Sequence, residues 1–241
     1  MDKLLSEANS LDRQDELAGF RARFHIPKHR DGTDLVYLCG HSLGLQSKSV
    51  QTVVKDELAA WRDRAVRGHF EGPLPWMDYS RRLCESLSGL LGSRPEEIVV
   101  MNTLTVNLHL LRVSFFRPRG KRRKILIEKH AFPSDRYAVQ SQLEFHGLDP
   151  AADLVELAPR DGEHLIEESG VENYLESHGE EVALVLWPGV QYITGQAFNL
   201  PRIAAAAHRA GAMVGFDLAH HVGNLPLELH DSGCDFAAWC H

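Results

Sequence analysis

Met213-Val214-Gly215-Phe216-Asp217-Leu218-Ala219-His220 is the stretch that decides the fold: an apolar run too short for a buried helix ends on a carboxylate, and an imidazole follows. Such a run reads as a strand covered on both faces. Working upstream, 201–210 has helical spacing, 182–186 reads as a strand, 134–144 as a helix and 124–127 as a strand. Before them come a helix over 105–115 and a strand over 98–101. Apolar, β-branched strands alternating with helices predict an α/β fold built on a mainly parallel sheet with helices on both faces. In sheets of this kind ligands bind at the carboxyl ends of the strands, so the residues just beyond each strand are the ones to read for chemistry.

The N-terminal third is more helical. Leu11, Leu17, Phe20 and Phe24 recur at near-helical spacing up to Ile26-Pro27 and predict an amphipathic helix. A short strand is expected over 35–39, and a second helix over 47–61 with Val50, Val53, Val54, Leu58 and Trp61 on its apolar side. A turn-rich loop over 68–75 leads to a helix over 77–91, closed by Gly92 in the manner of a left-handed cap. The expected organisation is an N-terminal helix, turn and helix over 1–67 and a large domain over 68–241.

Composition narrows the function classes. With 241 residues, 44% hydrophobic and 24% charged, the chain can bury a sizeable core. A net charge of -7 argues against a nucleic-acid partner, and the basic run Arg117-Pro118-Arg119-Gly120-Lys121-Arg122-Arg123-Lys124 reads as a solvated turn entering a strand. Cys39, Cys84, Cys234 and Cys240 form no CxxC pair and read as buried free thiols, which implies a reducing, cytoplasmic setting. No apolar run approaches membrane-spanning length, so no membrane partner is expected. The 14 histidines include no HExxH pattern, and the adjacent His220 and His221 must diverge on a regular element, so no metal site is expected.

Five segments could carry chemistry. Gly40-His41-Ser42-Leu43-Gly44 matches the GxSxG pattern of a nucleophile elbow, but too little chain precedes it to build the strands of a serine hydrolase. Asp217 either caps the turn after its strand or supplies the counter-charge that keeps the pyridine nitrogen of pyridoxal 5'-phosphate (PLP) protonated. Asn102-Thr103-Leu104-Thr105 opens a helix, where free amides and hydroxyls cap the helix or hold a phosphate. Phe132-Pro133-Ser134-Asp135 follows a strand, and its aromatic ring serves as a core contact or stacks on a flat cofactor. The loop Trp187-Pro188-Gly189-Val190-Gln191-Tyr192-Ile193-Thr194-Gly195 permits close backbone approach.

Taken together, Leu104-Thr105-Val106-Asn107-Leu108-His109, Phe132-Pro133-Ser134-Asp135 and Phe216-Asp217-Leu218-Ala219-His220 resemble the kynureninase family, and the likeness runs over essentially the whole chain. The start of the chain resembles that family's N-terminal helix, and Gly40-His41-Ser42-Leu43-Gly44 its Gly-Asn-Ser-Leu-Gly turn, with His41 in place of Asn. The resemblance implies a PLP-dependent hydrolase that cleaves L-kynurenine, or its 3-hydroxy derivative, to anthranilate or 3-hydroxyanthranilate and L-alanine. It implies a fold type I large domain and a homodimer. By the same likeness Leu104, Thr105, Phe132, Pro133, Ser134, Asp135, Pro188, Asp217 and His220 bind the cofactor, Ser42 and His69 line the substrate side, and Asp217 and His69 serve catalysis. In the family a Tyr-Lys pair follows this segment at once, so the cofactor-bearing lysine is expected within about two residues after His241, with the small domain and its carboxylate-binding arginine further on, and the large domain over 68–241 is expected to be incomplete. The alternatives are another PLP enzyme of this fold, a desulfurase or aminotransferase, or a catalytically silent fragment without the lysine.

Overall fold

The apolar runs of the second half assemble into one sheet. In the computed structural model, which describes residues 2–240, the strands are β1 (Lys124–Glu128), β2 (Leu154–Leu157), β3 (Val182–Pro188), β4 (Met213–Asp217) and β5 (Phe236–Ala238). Their order is β2-β1-β3-β4-β5, and every neighbouring pair is parallel. The helices are α1 (Asp2–Gln14), α2 (Val50–Arg64), α3 (Tyr79–Leu91), α4 (Leu104–Phe115), α5 (Pro133–Phe145), the short α6 (Pro150–Asp153), α7 (Glu168–His178) and α8 (Leu200–Arg209).

The two-residue period of the strands sorts side chains into two cores. Leu126, Val185, Trp187, Val214 and Phe216 pack with Cys84 and Leu91 of α3, Val171 and Leu175 of α7, and Ile203 and Ala207 of α8. On the opposite face Ile125, Ile127, Leu184, Leu186 and Phe236 pack with Leu108 of α4 and with Val139 and Leu143 of α5. The expected α/β fold with helices on both faces is therefore the observed one.

The chain divides into two compact units, Met1–Met77 and Asp78–His241. The residues over 68–77, assigned from sequence to the large domain, group with the first unit. Trp76 accounts for this, because its Nε1 donates to Glu57 Oε2 of α2 at 2.8 Å and its ring meets His69 edge-on.

Several local expectations need correction. The helix read through Phe24 is broken: α1 ends at Gln14, Asp15 Oδ1 accepts from the Leu17 amide at 2.8 Å, and a 3-10 turn over Ala18–Arg23 follows. A side chain that bonds its own backbone two residues on competes with the helix. The segments over 35–39 and 98–101 are not strands among the described residues. In the latter, Cys84 Sγ and Ser80 Oγ of α3 donate to the carbonyls of Ile98 and Val100, so the segment lies along a helix instead of joining the sheet. Gly92 caps α3 in the left-handed region, φ 59°, as its position predicted. The thiols are free, but only Cys84 is buried; Cys39 and Cys240 are exposed.

Candidate functional site

The carboxyl ends of β1, β3 and β4 lie side by side and each ends on a residue with a task. Glu128 closes β1, and Pro188 of β3 pairs in register with Asp217 of β4. Beyond β3 the chain turns tightly, and the Gly189 amide donates to the Asp217 carbonyl at 2.8 Å. A Cβ on Gly189 would stand 2.6 Å from both Leu218 and His221, so the loops after β3 and β4 approach this closely only because that position has no side chain.

Above these ends opens a small cleft, lined among others by Glu128, Phe132, Asp135, Pro188, Asp217 and His220. At its rim three rings meet: Phe132 stands edge-on to Tyr192 at 5.1 Å, and His220 lies 6.0 Å from Tyr192 and 6.5 Å from Phe132. His221, the adjacent histidine, turns the other way and is buried, with Nε2 near the Pro226 carbonyl.

The walls of the cleft are acidic. Asp217 Oδ1 accepts from the Ala219 amide at 2.8 Å. Burial first, then the hydrogen bond that its protonated form gives to Asp135 and the charges of Asp135 and Glu128, push its carboxyl well above the usual range against that amide. Asp135, at the start of α5, is buried and receives Ser134 Oγ at 3.2 Å. Burial pushes Glu128 up to about 8. Behind Asp135, Arg112 of α4 is fully buried with no partner on any of its three guanidinium nitrogens, and burial lowers it to about 10 while the Asp135 charge works the other way.

Of the residues picked from sequence, Phe132, Asp135, Pro188, Asp217 and His220 line the cleft. Pro133 and Ser134 form the first turn of α5 without reaching its lining. Leu104 and Thr105 open α4, whose N-cap Thr103 makes no side-chain cap bond, so the first amides of that helix keep no side-chain acceptor. Ser42 and His69 belong to the first unit. Ser42 sits in a turn where its amide donates to the Cys39 carbonyl; among the described residues no strand precedes it and the next helix, α2, starts only at Val50, so the GxSxG elbow is not formed. His69 ends a 3-10 turn with its ring 5.2 Å from Trp76. Sequence reading missed Glu128, Arg112 and the role of Tyr192 at the rim. Glu128 had a signal, an acid closing the apolar run Ile125-Leu126-Ile127.

A flat protonated heteroaromatic ring suits this donor set. The Asp217 carboxyl, pushed up by burial beside Asp135, would be relieved by a cationic N–H, an aromatic side chain stands at the mouth, and a helix start without a side-chain cap offers amides to an anion.

Among known proteins, the kynureninase of Koribacter versatilis is 52% identical over 97% of this chain and 55% of its own length. The kynureninase of Stenotrophomonas maltophilia is 50% identical over 100% of the chain and 57% of its own. The chain thus spans about half the length of the curated relatives it matches. Of solved structures, the apo cysteine desulfurase of Thermococcus onnurineus shares the fold with a TM-score of 0.67 at 20% identity, over 85% of this chain and 49% of that one. The lyase C-DES, in a mutant with glycine covalently linked to its PLP cofactor, superposes with a TM-score of 0.67 at 16% identity, over 83% and 50%. Residues 46–240 match the family described as aminotransferase class-V, and the chain belongs to that family.

Proposed function

We propose that this chain forms the cofactor-binding part of a kynureninase, a PLP-dependent hydrolase that cleaves L-kynurenine to anthranilate and L-alanine. The observation that carries the reading is Asp217, a desolvated acid held against Asp135 at the end of β4, in a chain about half identical to kynureninases along its whole length. The proposal extends to the pathway of tryptophan breakdown, a homodimeric assembly and a cytoplasmic setting. No helix among the described residues is long and apolar enough to cross a membrane.

When bound, PLP supplies an electron sink for the bond broken at the substrate Cα. The protein's part is to keep that sink working. Asp217 would stand opposite the ring nitrogen and keep a proton on it, since a cation there would stabilise the buried carboxylate. The Ala219 amide fixes the Asp217 carboxylate in place. Phe132, whose ring meets those of Tyr192 and His220 at the rim, would stack on the cofactor ring, with His220 and Tyr192 closing the rim against water. The start of α4, with Leu104 and Thr105, would hold the phosphate together with Pro133 and Ser134 at the start of α5. Pro188 borders the site through apolar contact. On the substrate side, Ser42 and His69 orient the aryl ketone.

Anthranilate release from L-kynurenine, set beside alanine release from L-cysteine, tests the reading. A kynureninase releases anthranilate and leaves cysteine untouched; turnover of cysteine alone would make it a desulfurase. The lysine expected after His241, which is itself outside the described residues, is tested by borohydride reduction and mass spectrometry of the intact protein. A cofactor fixed to that lysine is the expected result, and a protein that retains none would be the silent alternative.

A further inference from the structure

Two of the three rim rings sit on loops that a buried amide ties together. Gln191 lies in the loop after β3, next to Tyr192, with 5% of its surface exposed. Its main chain closes that loop: the Gln191 amide donates to the Gln196 carbonyl at 2.8 Å, and the Gly195 amide donates to the Gln191 carbonyl at 2.9 Å. Its side chain serves the same loop, where Oε1 accepts from the amides of Ile193 at 2.6 Å and Thr194 at 2.9 Å. With Oε1 held by these donors the orientation of the side-chain amide is fixed, and Nε2 is turned away from its own loop. There it donates to the His130 carbonyl at 3.2 Å, across 61 residues of chain.

His130 is a place where such a tie has something to hold. Residues 129–132 connect β1 to α5. At one end of this turn the Lys129 amide donates to the Leu157 carbonyl at 2.7 Å; at the other the Phe132 carbonyl accepts from the amides of Asp135 and Arg136 at 2.9 and 3.1 Å. Between these anchors His130 takes φ 65°, in the left-handed region that residues with a side chain avoid. Such a conformation persists where the surrounding contacts over-determine it. Phe132 follows in the same turn, and its ring faces that of Tyr192 at 5.1 Å. The bond from Gln191 to His130 therefore joins the two loops close to the base of each facing ring.

We propose that Gln191 is a positioning residue of the cofactor site: by holding the His130 carbonyl from the loop after β3, it keeps the turn after β1 in its left-handed form and so sets the aim of Phe132 for the cofactor ring. This rests on the PLP reading above. The same side chain has a local role, through Oε1, and a cross-loop role, through Nε2, and chain length separates them.

Two variants and two readouts test it. Gln191→Asn keeps an amide whose oxygen can bond its own main chain two residues on, while the shorter stem leaves its nitrogen short of His130. Gln191→Met keeps the volume and removes both roles. Amide hydrogen exchange of the full-length protein without PLP, read by mass spectrometry, follows the tie itself. Both variants should exchange faster than wild type over 129–132, and Gln191→Met alone should also do so over 193–195. PLP titration is the second readout. Both variants should bind PLP about fivefold more weakly, as expected for loss of the ring contact; in a Phe132→Leu background Gln191→Asn should add less than about twofold, because the ring it aims is gone. A merely structural Gln191 would cost the same factor in either background. Wild-type exchange over 129–132 in Gln191→Asn, wild-type PLP affinity in that variant, or a full fivefold loss on top of Phe132→Leu would each overturn the proposal. Should Gln191→Met fail to fold, Gln191→Asn carries the test. Wild-type protein that binds no PLP at all would strike down the cofactor reading instead, while exchange over 129–132 still reports whether Gln191 holds the turn.

Discussion

The two ends of the same sheet are built on opposite rules. At the amino ends of the strands, charge is met by its complement. Arg122 donates to the carbonyls of Gly179, Val182 and Ala210 at 2.7 to 2.9 Å, Arg123 pairs with Asp153 at 3.0 Å, and Asp235 accepts from the Val214 amide at 2.7 Å with His208 beside it. At the carboxyl ends, Glu128, Asp135 and Asp217 crowd together without a cation bonded to any of them among the described residues. One end is satisfied and the other is held in an unfavourable state that a cationic group would relieve. Strained electrostatics on an otherwise consistent scaffold marks a functional site.

The largest expected effect is at Asp217. Replacing it with Ala should lower kynurenine cleavage by at least about a hundredfold, the scale of losing one preorganised electrostatic group. The same change should cost the cofactor-free protein no stability at pH 8, because a carboxyl held above its usual range opposes folding there. Turnover assays and melting curves read the two effects separately. Normal turnover in folded D217A would break the assignment of this end of the sheet as the working one.

At the other end the pattern reverses. Arg122→Ala removes three bonds to main-chain carbonyls and should destabilise the fold by about 2 to 3 kcal/mol, yet leave PLP affinity within about twofold. Urea unfolding and PLP titration check both. A collapse of PLP affinity out of proportion to the stability loss would erase the distinction between the ends.

Phe132→Leu is the milder probe of the carboxyl end. It keeps an apolar contact but gives up ring stacking, worth about 1 kcal/mol, so PLP affinity should fall roughly fivefold with little change in melting temperature. An unchanged Kd would place the ring elsewhere in the cleft.

The same contrast explains what was legible in the sequence. β1, β3, β4, α4, α5 and α8 announce themselves through long apolar runs or helical spacing, and because sheets of this kind open clefts beyond their strand ends, Phe132, Asp135, Pro188, Asp217 and His220 could be picked out as residues that line one. Shorter or more polar elements could not. β2 is four residues with Glu156 facing out, β5 is three residues, and α7 carries a glycine and three glutamates around its buried Val171 and Leu175. The strands expected over 35–39 and 98–101 have the right composition but no partner strand, and pairing is a tertiary property that composition does not encode. Glu128 and Arg112 escaped notice because a charge inside an apolar pattern reads as exposed until the packing around it is known.

The smallest effect is expected at His69, in the first unit and part of neither end of the sheet. If cofactor binding is carried by the carboxyl ends of the strands, His69→Ala should leave PLP affinity unchanged and raise the KM for kynurenine several-fold, about 1 kcal/mol for a lost hydrogen bond to substrate. The His69 ring also rests against Trp76 at 5.2 Å, so Ala removes an aromatic contact and the KM could rise through local loosening instead. His69→Phe separates the two, since a phenyl ring keeps the contact with Trp76 and cannot hydrogen-bond. The substrate role predicts that Phe preserves the melting temperature and still shows the raised KM. A Phe variant with wild-type KM would reduce His69 to a packing residue, and a fall in PLP affinity in either variant would mean that the cofactor site draws on the first unit as well.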